Sequence, residues 1–117
     1  MNAVFIFYFQ SIFLLELLAG SNHLSEIPIS INLHKRLREV RFPHNQISTL
    51  RGVNFVQIKS LEILDLRNNK ITVMDVPFPF SLSSLILSNN SIVDVPTGLT
   101  SLPNLQTLQL TGEINQA

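Results

Sequence analysis

Between Leu61 and Ile71 the chain reads Leu-Glu-Ile-Leu-Asp-Leu-Arg-Asn-Asn-Lys-Ile, with apolar residues at its first, fourth, sixth and last positions and asparagine at its ninth. The pattern recurs in one register. Upstream it falls on Leu37, Val40, Phe42, Asn45 and Ile47, and before that on Leu14, Leu17, Ala19, Asn22 and Leu24. Downstream it falls on Leu82, Leu85, Leu87, Asn90 and Ile92. A partial copy then offers Leu105, Leu108 and Leu110, with Glu113 where the asparagine belongs. First positions at 14, 37, 61, 82 and 105 are spaced by 23, 24, 21 and 23 residues. That period lies within the ~20–29 residues of a repeat that forms one coil of a solenoid.

Side chains alternate along a strand, so the fourth and sixth positions of each copy face the same way. Leu64 and Leu66, like Leu85 and Leu87, are therefore expected to point inward. One coil cannot bury its apolar face alone, and stability has to come from stacking on its neighbours. The expected fold is α/β: a short curved solenoid with a parallel sheet on its concave face and irregular, 3-10 or short helical segments on its convex face. The asparagines Asn22, Asn45, Asn69 and Asn90 fall where each coil turns away from the sheet. A carboxamide both donates and accepts, so it can pair backbone groups that the turn leaves open.

The return segments differ. Ile27-Pro28 is expected to end the first inward run, with Ile31 and Leu33 on the convex side; Val95-Pro96, Leu99 and Leu102 mirror it in the fourth repeat. Val53, Phe55, Val56 and Ile58 have a spacing compatible with a short amphipathic helix. Val76-Pro77-Phe78-Pro79-Phe80 carries two prolines, which predicts an extended return instead.

Residues 1–13 form an apolar extension that fits no repeat position, and residues 14–117 form the repeat domain. A signal segment with Ala19-Gly20-Ser21 at its cleavage site is the alternative for the start of the chain. Against it, no Lys or Arg precedes the apolar run, Glu16 interrupts it, and cleavage would remove part of the first repeat. A membrane span is disfavoured, because fewer than ~18 apolar residues run unbroken. The chain has no cysteine, which fits a reducing compartment. The expected location is cytoplasmic, extending to the nucleus, with secretion as the alternative.

Acidic and basic residues are equal in number, so no global field points to nucleic acid. The three histidines fall at different repeat positions, and no metal, cofactor or nucleophile arrangement is legible; a non-enzymatic protein is expected. Asn89-Asn90-Ser91 matches a glycosylation acceptor at Asn89. On the concave side, Glu39, Arg41, Ile63, Asp65, Arg67 and Ile86 lie at outward positions near the centre of the sheet. They mix charge with exposed aliphatic surface, the composition of a partner-binding patch.

The pattern resembles the leucine-rich repeats of intracellular, Ras-group proteins, whose repeats often end in Ile-Pro or Val-Pro as here at Ile27-Pro28 and Val95-Pro96. The resemblance implies a non-enzymatic module, a scaffold with a place in signalling, that presents its concave face to a protein. Such families carry many more repeats, so this chain looks like a fragment or short form of a longer solenoid. A secreted or membrane-anchored recognition domain is the alternative. No polar cap follows Leu110, which predicts weak self-association through open ends.

Overall fold

A computed structural model describes residues 14–16, 23–27, 29–33, 35–74, 76–94 and 98–112. Five strands of three residues each form one parallel sheet in sequence order: β1 (Leu14–Glu16), β2 (Glu39–Arg41), β3 (Ile63–Asp65), β4 (Ser84–Ile86) and β5 (Thr107–Gln109). The strands β2 to β5 each occupy the third to fifth positions of one copy of the pattern. Val40, Leu64, Leu85 and Leu108 stand side by side in register. The solenoid expected from the spacing is the observed fold.

Short strands alone would pair weakly, so the ladder is extended by loops that repeat the same bonds from coil to coil. The amides of Phe42, Leu66 and Leu87 donate to the carbonyls of Asp65, Ile86 and Gln109, at 2.8–2.9 Å. Beyond the sheet, the amides of Gln46, Lys70 and Ser91 donate to Leu24, Ile47 and Ile71. Non-local pairing of this kind makes each coil the template for the next.

Leu61, Leu64, Leu66, Leu82, Leu85 and Leu87 are all fully buried, as their positions predict. Ile27, Ile31, Phe42, Ile47, Phe55, Ile58 and Ile71 complete a single core between the sheet and the return segments. The last coil is different. Leu105 and Leu110 are only partly buried, and Leu108 is 38% exposed, where Leu64 and Leu85 are covered by coils on both sides.

Two expectations are corrected. Pairing of β1 sets Leu15, not Leu17, opposite Val40, and Glu16 opposite Arg41. The loop after it keeps the predicted register, since the Leu24 amide meets Asn45 as Ile47 meets Asn69. Two extra residues therefore lie between strand and loop in the first repeat, a shift that preserves the alternation of faces and hides in the spacing. In the second repeat, the expected amphipathic helix is a 3-10 turn over Phe55–Gln57. It buries Phe55 and Ile58 and exposes Val56. Further 3-10 turns lie at Ile29–Leu33 and Leu99–Ser101, while the Pro77–Phe80 return has no helix, as its prolines require. The apolar extension 1–13, Asn22, Pro28 and Val95-Pro96 lie outside the described residues. Among the described residues no helix is long and apolar enough to cross a membrane.

Candidate partner-binding face

The asparagine column fixes the edge of the concave face. Asn45, Asn69 and Asn90 are buried. Asn69 Oδ1 accepts from the Ile47 amide at 3.0 Å, and its Nδ2 donates to the carbonyls of Phe42 and Leu66 at 2.9 Å and of Arg67 at 3.2 Å. Asn90 repeats this with the Ile71 amide at 3.0 Å and the carbonyls of Leu66 and Leu87 at 3.0 and 2.9 Å. Each carboxamide thus closes its own turn and also ties it to the coil before. The residue preceding each asparagine belongs to a second column that spacing did not reveal. His44, Asn68 and Asn89 have φ of 59°, 59° and 61°, and Gly112, one repeat further on, has 82°. A left-handed backbone there favours Asn and Gly. A Cβ at Gly112 would also run into the Asn89 carboxamide.

Inside that edge, the outward positions of β2 and β3 carry a connected set of charges. Arg41 Nε and Nη2 donate to Glu39 Oε1 at 3.2 and 3.1 Å, and Arg41 Nη1 reaches Asp65 Oδ2 at 3.4 Å. Arg67 Nη2 approaches the same oxygen at 3.2 Å. Asp65 Oδ1 also accepts from the Arg67 amide at 3.2 Å. The sequence places all four residues together, and the structure does bring them together.

Their roles are unequal, however. Asp65, expected to face solvent, is 0% exposed beneath the two guanidinium groups. A buried carboxylate needs paired cations and hydrogen bonds to hold its charge, and those partners come from Arg41, Arg67 and one amide. Arg41 is 28% exposed and uses donors in both directions. Arg67 is 49% exposed, and among the described residues its side chain is engaged only by Asp65. It therefore presents free donors above the sheet. Ile63 and Ile86, expected to be exposed, are half-buried on β3 and β4 and form an apolar floor beside the charges. The seventh-position row continues from Arg67 through Ser88 and Thr111, whose hydroxyls lie 3.0 Å apart. At the opposite edge, Arg38 Nη2 meets both Glu62 oxygens at 3.1 Å, an exposed pair worth little by itself.

The histidines do not converge. His23 Nδ1 lies 2.9 Å from Gln46 Nε2 and His44 Nδ1 lies 2.9 Å from Asn68 Nδ2, both in stacked turns. Among the described residues no three His, Asp or Glu gather as metal ligands.

Comparison with known proteins agrees with this architecture. Residues 60–80 and 81–102 each match the Leucine Rich Repeat family model. Osteomodulin of Rattus norvegicus is 31% identical over 81% of this chain and 23% of its own length. Receptor-like protein 18 of Arabidopsis thaliana is 35% identical over 76% of the chain and 11% of its own length. The leucine-rich repeat-containing G-protein coupled receptor 5 of Rattus norvegicus is 37% identical over 78% and 10%. The chain thus spans less than a quarter of the length of these relatives. The LRR ectodomain of the Arabidopsis thaliana receptor kinase SOBIR1 superposes with a TM-score of 0.50 at 20% identity, covering 83% of this chain and 69% of that one. The asparagine-bridged coils and the parallel concave sheet make this chain a leucine-rich-repeat solenoid, two of whose repeats match the Leucine Rich Repeat family model.

Proposed function

We propose that the chain is a protein-binding module that seats its partner on the concave face, with Arg67 as the anchor and Ile63 and Ile86 as the apolar floor. One observation carries the reading. A buried aspartate holds two arginines over the sheet, and one of them keeps donors free. Arginine is enriched at binding hot spots because its planar fork holds a carboxylate through two hydrogen bonds. Arg41 serves as a brace, since its donors are committed to Glu39 and Asp65. A scaffold role in signalling follows if the partner is itself a signalling protein.

The test starts from binders selected out of a displayed protein-fragment library on the intact chain. Arg67→Ala should weaken them by about tenfold or more, with an unchanged melting curve. Undiminished binding to Arg67→Ala would reject the anchor.

The compartment has two readings. The absence of cysteine and the Ile-Pro and Val-Pro repeat ends favour the intracellular, Ras-group type, nearest to the C-terminal repeats of leucine-rich repeat-containing protein 40. A module working outside the cell is favoured by relatives that are named as a receptor-like protein and a receptor. N-terminal sequencing of the mature chain separates them: a start at or next to Met1 supports the first, a start near Asn22 the second.

A further inference from the structure

The shortest repeat, Leu61 to Ser81, leaves a notch in the convex side. Pro77 and Pro79 keep its return path extended, whereas the repeats on either side carry 3-10 turns at Phe55–Gln57 and Leu99–Ser101. Two recesses open there. One of about 340 Å³ is lined by Val56, Lys59, Pro79 and Phe80, and one of about 250 Å³ lies against Pro77, Gly98 and Leu102. Val56 and Phe80 line both, which makes the recesses one groove with a shared apolar wall.

Phe80 is 69% exposed and Val56 38%. Phe78, from the same run, is buried with its ring 5.7 Å from that of Phe55. The core is therefore already filled beneath the groove, and Phe80 adds nothing to it. A large aromatic left in water beside a side-chain-sized recess marks a contact surface. Lys59 is the one charged residue lining either recess, and no acidic residue lines them, among the described residues. Lys35 and Arg36 occupy the equivalent turn one repeat earlier, both exposed. Among the described residues, Lys59 thus gives the groove a positive charge.

We infer that this groove docks an extended peptide segment of a partner protein, one that sets a large apolar side chain beside a carboxylate. The apolar group fills the recess against Val56 and Phe80, and the carboxylate meets Lys59. A peptide suits the geometry better than a bilayer does, because the recess accepts an inserted side chain and carries one lysine, whereas anionic lipid is met by clusters of about 4–8 Lys or Arg. This site is separate from the concave face, and a partner could engage both.

The experiment selects a random peptide display library on the intact chain and measures the recovered peptides by fluorescence anisotropy. The expected peptides carry a Phe, Leu, Ile or Trp within two residues of Asp or Glu. Phe80→Ser should weaken them by about tenfold or more, and Lys59→Gln should weaken them while removing their sensitivity to salt. Arg67→Ala should leave them unchanged, and all three variants should melt like the parent. Peptides without an acidic residue, or peptides indifferent to Phe80→Ser, would overturn the assignment. So would a Phe80-dependent dimer in sedimentation, which would make a second copy the occupant. Phe80-dependent binding to phosphatidylserine vesicles with no peptide recovered would overturn it in favour of a membrane.

Discussion

Replacing Asn69 with alanine removes the central rung of the asparagine column, and the structure shows what would be stranded. The Ile47 amide loses its acceptor at 3.0 Å. The Phe42 carbonyl keeps only a 3.4 Å contact from Asn45. The other two acceptors stay paired, because Leu66 also receives Asn90 Nδ2 at 3.0 Å and Arg67 receives the His44 amide at 3.1 Å. Two backbone groups are left, one of them partly served, at about 1–3 kcal/mol each. The expected loss is about 2–4 kcal/mol, which for a domain of this size lowers Tm on the order of 10–25 °C. Equilibrium urea unfolding measures the free energy and a thermal scan the midpoint. Asn69→Asp should be at least as damaging, since it would set a carboxylate oxygen against carbonyls that now accept at 2.9 Å. A loss below about 0.5 kcal/mol for Asn69→Ala, as for an ordinary surface change, would refute the reasoning. So would an Asn69→Asp variant as stable as the parent.

Three more outcomes follow from particular geometries. Asn89→Ala should cost about 1 kcal/mol because φ is 61° there, while Asn89→Gly is nearly neutral; equal stability of Ala and Asn in the same urea assay would contradict the left-handed backbone. Arg41→Ala with Arg67→Ala should cost about 3–5 kcal/mol by leaving the buried Asp65 unpaired, whereas Arg67→Ala alone costs about 0–1 kcal/mol. Adding Asp65→Asn to the double variant should recover most of the loss, and failure to recover would show that Asp65 is not its source. Leu108→Gln should reduce association of the chain in sedimentation velocity, because Leu108 is the inward leucine left exposed on β5; unchanged association would place the contact elsewhere.

The fold was legible because solenoid stacking is a period, and a period survives in sequence. Leu64, Leu66, Leu85 and Leu87 could be assigned to the core from alternation alone, and Asn69 to a turn from its place after them. What escaped was set by three-dimensional neighbours. Asp65 sits at an outward position, yet Arg41 from one coil back and Arg67 from its own coil leave it fully buried. The left-handed column carries His44, Asn68, Asn89 and Gly112, and those four residues share no obvious motif even though Asn and Gly hint at it. Phe55 and Ile58 read as a helix face because their spacing fits one, but three residues of 3-10 turn are enough to bury both. Phe80 was unremarkable in a Pro-Phe-Pro-Phe run; only the burial of Phe78 shows that one aromatic goes in and the other stays out. The shift of β1 was invisible because two residues preserve the alternation of faces.

The binding role of the concave face is tested most directly by methyl NMR of the chain with a selected protein-fragment binder. Isoleucine and valine methyl groups report each surface separately: Ile63 and Ile86 on the concave strands, and Ile29, Val73 and Val93 at exposed positions outside the sheet. Binding on the concave face should shift or broaden the Ile63 and Ile86 resonances and leave the other three unmoved, with the effect lost in Arg67→Ala. Perturbation at Ile29, Val73 or Val93 with Ile63 and Ile86 unchanged would contradict it.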